Sequence, residues 1–182
     1  MARLPKFLVQ KKNSFECGAF VLAGILHAFG KLPAAADTTI SYDKWSAKIG
    51  KGVGDKAAAL EIYKVTGCGP NGYNLPSAMC KVAQDFGLTA TASYVKGSPL
   101  VSDPAYSNEL SKCRALKAGG TEAVYAAPAN NGHAQAVCVS IGGGLHWLAL
   151  GDNGQYMDPA DGNRYSPMPS VYTFTGIWID FS

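Results

Sequence analysis

Cys17 is the residue of this chain best placed to do chemistry. It stands where a polar stretch turns abruptly into an apolar helix, in QKKNSFECGAFVLAGILHAFG, residues 10–30. Phe20, Val21, Leu22, Ile25, Leu26 and Phe29 recur at intervals of three and four, which predicts a helix with one broad buried face. Gly30 fits the residue just past its end. A cysteine in the first turn of a helix meets unpaired backbone N–H groups and the positive end of the peptide dipoles, and both favour thiolate over thiol. A thiolate so placed is a nucleophile for acyl transfer. That chemistry also needs an imidazole to take and return a proton, a group to orient the imidazole, and donors for the developing oxyanion.

The chain has three histidines. His27 lies in the Cys17 helix itself, ten residues on, which is about 15 Å along the axis and out of reach of the thiol. It suits a helix-surface or C-terminal dipole partner. His133, at the start of a strand in NNGHAQAV, and His146, within the strand pattern LHWLALG, remain as bases. An Asp-Pro follows the His146 strand, and this favours His146 with Asp158 as its orienting acid. Asp161, Asp152 and Asn153 are the alternatives. The duller reading of Cys17 is a core cysteine, since free cysteine is among the most buried residue types. The duller reading of DNGQYMDPADG is a turn cluster. It lacks the alternating acids and closing glutamate of a calcium loop, so no metal is expected there.

Gln10, six intervening residues, then Cys17-Gly18-Ala19, with Glu16 directly before the cysteine, resembles the start of papain-like cysteine peptidases, most of all the stand-alone bacterial C39-like group. LHWLALGDNGQYMDPADG, residues 145–162, resembles that group's second motif. The resemblance implies that Gln10 and the Cys17 N–H form the oxyanion hole, that His146 is the base and that Asp158 is its acid. It implies a cysteine protease or amide hydrolase that uses no cofactor and takes a peptide or protein as substrate. Small papain-like domains of this kind resemble bacterial effectors and toxin domains, for which an immunity or inhibitor protein is an expected partner. The same residues would serve a glutamine deamidase or a peptidoglycan amidase, because each passes through an acyl-enzyme. A reading of another class is a non-catalytic C39-like module that binds peptide in the same cleft.

The elements that must position these residues follow in order. Residues 31–56 read as a long connection holding GKGVGDK, and 57–66 as a short helix with Asp55 near its N-cap. GPNGY turns the chain; 75–86 forms a helix opened by Asn74 with Pro76 in its first turn. LTATASYV alternates as a strand, KGSPLVSDPA is a loop, and 107–117 is a helix ending at Gly119-Gly120. TEAVYAAP, HAQAVCVSI, LHWLALG, GQYMD and TFTGIWIDF then read as antiparallel strands. Gly142-Gly143-Gly144 suits a hairpin turn, and Trp147, next to His146, must point to the opposite face and into the core, with Trp45 and Trp178 also packing. The fold class is segregated α+β. It is read as one papain-like domain over 1–182, mostly helical to residue 120 and mostly β from 121, with the Cys17 helix against the C-terminal sheet.

At 182 residues, 47% hydrophobic and 16% charged, the chain is neither a disordered tail nor a nucleic-acid coat. A net charge of +3 with scattered lysines says little about partners. No secretory signal or membrane-length apolar run is present, which suggests synthesis in a cytoplasm and is compatible with export by a machine that cleaves no signal. The five cysteines lack a Cys-x-x-Cys pair, so neither a disulfide framework nor a zinc ribbon is expected. Cys80, Cys113 and Cys138 read as buried small hydrophobes, with Cys68 in a turn and more open.

Overall fold

A computed structural model describes Leu4, residues 8–103, Tyr106, 108–128 and 132–182. The first helix, α1 (Cys17–Ala28), is buried at every residue from Cys17 through Leu26. It is therefore enclosed all round rather than along one face. Gly18, Ala19, Ala23 and Gly24 make this possible, because their small side chains let neighbours approach the side that the large residues do not occupy. Gly30 follows with φ +68 and donates to the His27 carbonyl at 2.9 Å, the expected left-handed stop.

The stretch read as a long connection instead forms a hairpin, β1 (Thr38–Tyr42) and β2 (Trp45–Ile49), closed at Asp43 with φ +53. Its alternation was hidden because each strand buries little beyond Ile40, Tyr42 and Ile49. Trp45 is 43% exposed there, so it is a surface residue and not part of the packing. Helix α2 (Asp55–Thr66) starts two residues earlier than expected, with Gly54 as its N-cap. Helix α3 (Pro76–Asp85) carries proline in its first turn as expected, but Leu75 is the cap and Asn74 is committed elsewhere. β3 (Ala90–Tyr94) follows. The loop read through 96–105 contains a single turn of helix, α4 (Pro99–Ser102), and α5 spans Glu109–Ala115. Ser107, read as the start of that last helix, lies outside the described residues.

The remaining strands are β4 (Gly119–Glu122), β5 (Ala134–Ile141), β6 (Gly144–Leu150), β7 (Tyr156–Met157), β8 (Arg164–Tyr165) and β9 (Thr173–Phe181). With β3 they form one sheet in the order β4-β3-β9-β5-β6-β7-β8. All pairs are antiparallel except β3–β4, which is parallel, so TEAVYAAP supplies a short parallel edge strand and then runs on outside the sheet. β5 and β6 are joined by the two residues Gly142 and Gly143, at φ 55 and 82, and Ile141 pairs with Gly144. This is the tight hairpin that two positive φ values allow.

The α+β arrangement is thus a helical N-terminal part and a large, mostly antiparallel C-terminal sheet, compatible with a papain-like fold. One sheet face, with Ala136, Cys138, Trp147 and Ala149, joins the helices in the main core. The opposite face holds a second cluster of Val137, Val139, Leu148 and Leu150, covered by Tyr156, Met168, Tyr172 and Phe174. No described helix is long and apolar enough to cross a membrane.

Candidate active site

Cys17 is the first residue of α1, and Glu16 before it has near-helical φ/ψ and no side-chain cap. The Phe20 N–H donates to the Glu16 carbonyl at 3.0 Å, which begins the helical ladder and leaves the N–H groups of the first turn without helical acceptors. The loop leading in is held by its own bonds. Asn13 has φ +59, the Ser14 N–H donates to the Lys11 carbonyl at 3.1 Å, and the Ser14 hydroxyl donates to Glu16 Oε2 at 2.9 Å. Asn74 ties this loop to the helices: Nδ2 donates to the Phe15 carbonyl at 2.7 Å, and Oδ1 accepts from the Thr66 hydroxyl at 2.7 Å.

Gly18 is fixed by the same neighbour. A Cβ there would stand 2.5 Å from Asn74 Cβ and 3.1 Å from the Met79 sulfur. The glycine after the cysteine is a matter of close approach between α1 and the segment before α3.

His146 comes from β6, opposite Val139 of β5. β7 pairs β6 at Ala149 and Leu150, so among the described residues the His146 stretch of β6 has no strand on that edge. There the ring meets α1 and the segment after β7. Asp158 directly follows β7, and its Oδ1 accepts from His146 Nε2 at 2.8 Å. Its own N–H donates to the Asn163 carbonyl at 3.1 Å, Oδ1 also accepts the Ala160 N–H at 2.8 Å, and Oδ2 accepts from the Tyr172 hydroxyl. Cys17 lies beside His146 and interacts with it electrostatically; with Nε2 committed to Asp158, Nδ1 is the ring nitrogen left for the thiol. The structure thus brings Cys17, His146 and Asp158 together.

The electrostatics follow. Burial opposes charge on His146, but its hydrogen bond with Asp158 and its interaction with Cys17 outweigh that and raise it from 6.5 to about 9. Burial likewise opposes charge on Asp158, and the bonds from His146, Tyr172 and the Ala160 N–H overcome it, so the carboxyl stays below its ordinary value. An imidazole between a thiol and an ionised carboxylate can accept the thiol proton and hold it as imidazolium.

Gln10 lies beside this group through its backbone, whose N–H donates to the Pro159 carbonyl at 2.8 Å. Its side-chain Nε2 donates to the Ser14 carbonyl at 3.1 Å, and Oε1 is buried without a partner among the described residues. The second Nε2 hydrogen is not used by that bond.

The other candidates are elsewhere. His27 Nδ1 pairs with Asp55 at 2.6 Å, bridging the end of α1 to the start of α2. His133 is exposed and lines a cavity of about 310 Å³ with Trp178 and Asp180. Asp161 accepts from Tyr165 and from the Asn163 N–H, Asp152 from the Gly132 N–H, and Asn153 bonds Gln155. All five cysteines are free thiols; Cys80, Cys113 and Cys138 are buried and Cys68 is half-buried. Trp147 is in the core, on the face opposite His146.

Sequence reasoning missed Tyr172 and Asn74 as parts of this site. Tyr172 follows the proline-rich SPMPS with no local pattern, and Asn74 looks like an ordinary helix cap. Residues 165–172 hold two tyrosines and two prolines, and nothing local shows which tyrosine would face the histidine.

An α+β fold that seats a cysteine at a helix start beside a strand histidine is compatible with a thiol hydrolase. The family model described as invasion plasmid antigen J, cysteine protease, matches residues 9–179, and the chain belongs to this family of cysteine proteases. A comparison with curated protein sequences finds no significant match.

Proposed function

We propose that the protein is a cysteine protease of the effector or toxin kind, cutting an amide bond in a peptide or protein, with Cys17, His146, Asp158 and Gln10 as its catalytic residues. The observation that carries this reading is the placement of His146 between Cys17, the first residue of a buried helix, with which it interacts electrostatically, and Asp158, to which it is hydrogen-bonded at 2.8 Å. His146 takes the thiol proton, and Cys17 attacks the carbonyl carbon. The Cys17 N–H and the Gln10 amide donate to the tetrahedral oxyanion, and the imidazolium returns its proton to the leaving amine. Asp158 holds the ring in the tautomer that faces the thiol. Water then releases the acyl group with His146 again as base.

The test is the pH dependence of iodoacetamide alkylation in the folded protein, with mass mapping of the labelled cysteine, repeated in His146→Ala and His133→Ala. Fast Cys17 labelling well below the ordinary thiol range of about 8.5, lost in His146→Ala and kept in His133→Ala, is the expected result. Cys17 labelling that follows an ordinary thiol titration in all three proteins would sink the assignment. Product analysis then separates the chemistries, since a protease exposes a new N-terminus and a deamidase releases ammonia.

A further inference from the structure

The geometry points to Tyr172 as a positioning residue for the proposed Cys17–His146–Asp158 relay, one that clamps the histidine and its carboxylate from the far side of the sheet. This rests on the reading of those three residues as the catalytic group.

Two independent contacts carry it. The Tyr172 hydroxyl donates to Asp158 Oδ2. The Tyr172 ring also stacks on the His146 ring, with centroids 5.6 Å apart and planes 20° from parallel. One side chain therefore touches both partners of the 2.8 Å His146–Asp158 bond. With Oδ2 taken by Tyr172, the carboxylate presents Oδ1 to the imidazole, and it cannot rotate to exchange its oxygens without losing a charge-assisted bond. The stacked ring covers one face of the imidazole, hindering its rotation and keeping water from the bond. Tyr172 is itself seated, since its N–H donates to the Pro169 carbonyl at 3.1 Å and its ring packs on the Val137, Val139, Leu148 and Leu150 cluster. Tyr172 acts through Asp158 and His146, the two groups its hydroxyl and ring contact.

The ionisable groups around Asp158 are His146 from β6, with Cys17 of α1 behind it, Tyr172 from the segment before β9, and Asp161 and Tyr165 from the turn and strand after Asp158. Of these, Tyr172 and His146 donate to the carboxylate through side chains. Removing the phenol alone makes Asp158 easier to protonate, so the relay should fail at a higher pH on its acid side.

Tyr172→Phe keeps the ring and its packing. The rate of iodoacetamide alkylation at Cys17 is expected to fall about 10-fold or more near neutral pH, with its acid limb shifted to higher pH. A folded Tyr172→Phe protein whose profile superposes on the wild type overturns the proposal, because a packing role alone would leave it there. In wild-type protein the His146 Nε2 proton is expected as a slowly exchanging low-field NMR resonance with a nuclear Overhauser contact to the Tyr172 ring. Its absence in folded protein also overturns the proposal, whatever the variant's stability. Wild-type Cys17 labelling no faster than an ordinary thiol at any pH overturns the catalytic reading and this one together. Fast wild-type labelling with an unshifted Tyr172→Phe profile overturns this one alone.

Discussion

The Gln10 backbone N–H donates to the Pro159 carbonyl at 2.8 Å, so the loop that leads to Cys17 is fastened to the residue after Asp158. Residues nearly 150 positions apart are thereby held in register by a bond that any residue but proline at position 10 would allow. This separates the structural use of Gln10 from the oxyanion role proposed for its side chain.

Gln10→Ala keeps that backbone bond and loses the side-chain amide. The expected outcome is a protein that melts close to the wild type and whose kcat falls roughly 10²-fold, the scale for one oxyanion donor. Burial of Oε1, which has no partner among the described residues, is relieved by the same change, and this argues further against a large loss of stability. Turnover of any substrate the wild type cleaves, measured beside a melting curve, checks it. An unchanged kcat would remove Gln10 from the oxyanion hole.

The buried ion pair gives stability a definite pH window. His146 is raised from 6.5 to about 9, so the folded chain keeps a proton that the unfolded chain releases. That contribution is complete below 6.5 and is lost as pH rises through about 9. Asp158 is lowered from 3.8, so its contribution is present above 3.8 and is lost as pH falls through its folded value. The difference in melting temperature between wild type and His146→Gln should therefore shrink as pH rises from 6.5 towards 9. The difference between wild type and Asp158→Asn should shrink as pH falls below 3.8. Parallel curves for wild type and variant would show that the pair does not titrate as argued.

Much of this was legible in the sequence for identifiable reasons. Cys17 announced itself because a helix start is a local signal, with a polar run, then periodic apolar residues, then Gly30. The β5–β6 hairpin was readable from its alternation and its glycines, and the Asp-Pro after a strand put Asp158 within reach of His146. What stayed hidden depends on contacts between distant segments. β1 and β2 carry mostly polar side chains on an exposed hairpin, so their alternation is faint. Asn74 has the composition of a cap, yet its side chain spans from Phe15 to Thr66. Tyr172 has no local signature, and its importance appears only when β9 returns beside β5 and brings it over His146.

Gly18 offers the sharpest test of how tightly Cys17 is seated. Its missing side chain leaves room for Asn74, and a methyl group there would meet Asn74 Cβ at 2.5 Å, Cγ at 2.8 Å and the Met79 sulfur at 3.1 Å. The Met79 side chain can shift, but Asn74 cannot move freely, because it holds the Phe15 carbonyl at one end and the Thr66 hydroxyl at the other. Helix propensity alone would favour alanine over glycine by about 1 kcal/mol at this position. Overpacking costs about 1–3 kcal/mol, so the clash should win and Gly18→Ala should be net destabilising. The strain falls on the bond two residues before Cys17, so alkylation of the thiol is expected to slow along with the loss of stability. Urea unfolding and Cys17 labelling of the same preparation measure both. A Gly18→Ala protein more stable than the wild type, with labelling unchanged, would mean that Asn74 yields and that the turn carrying Cys17 is looser than its hydrogen bonds indicate.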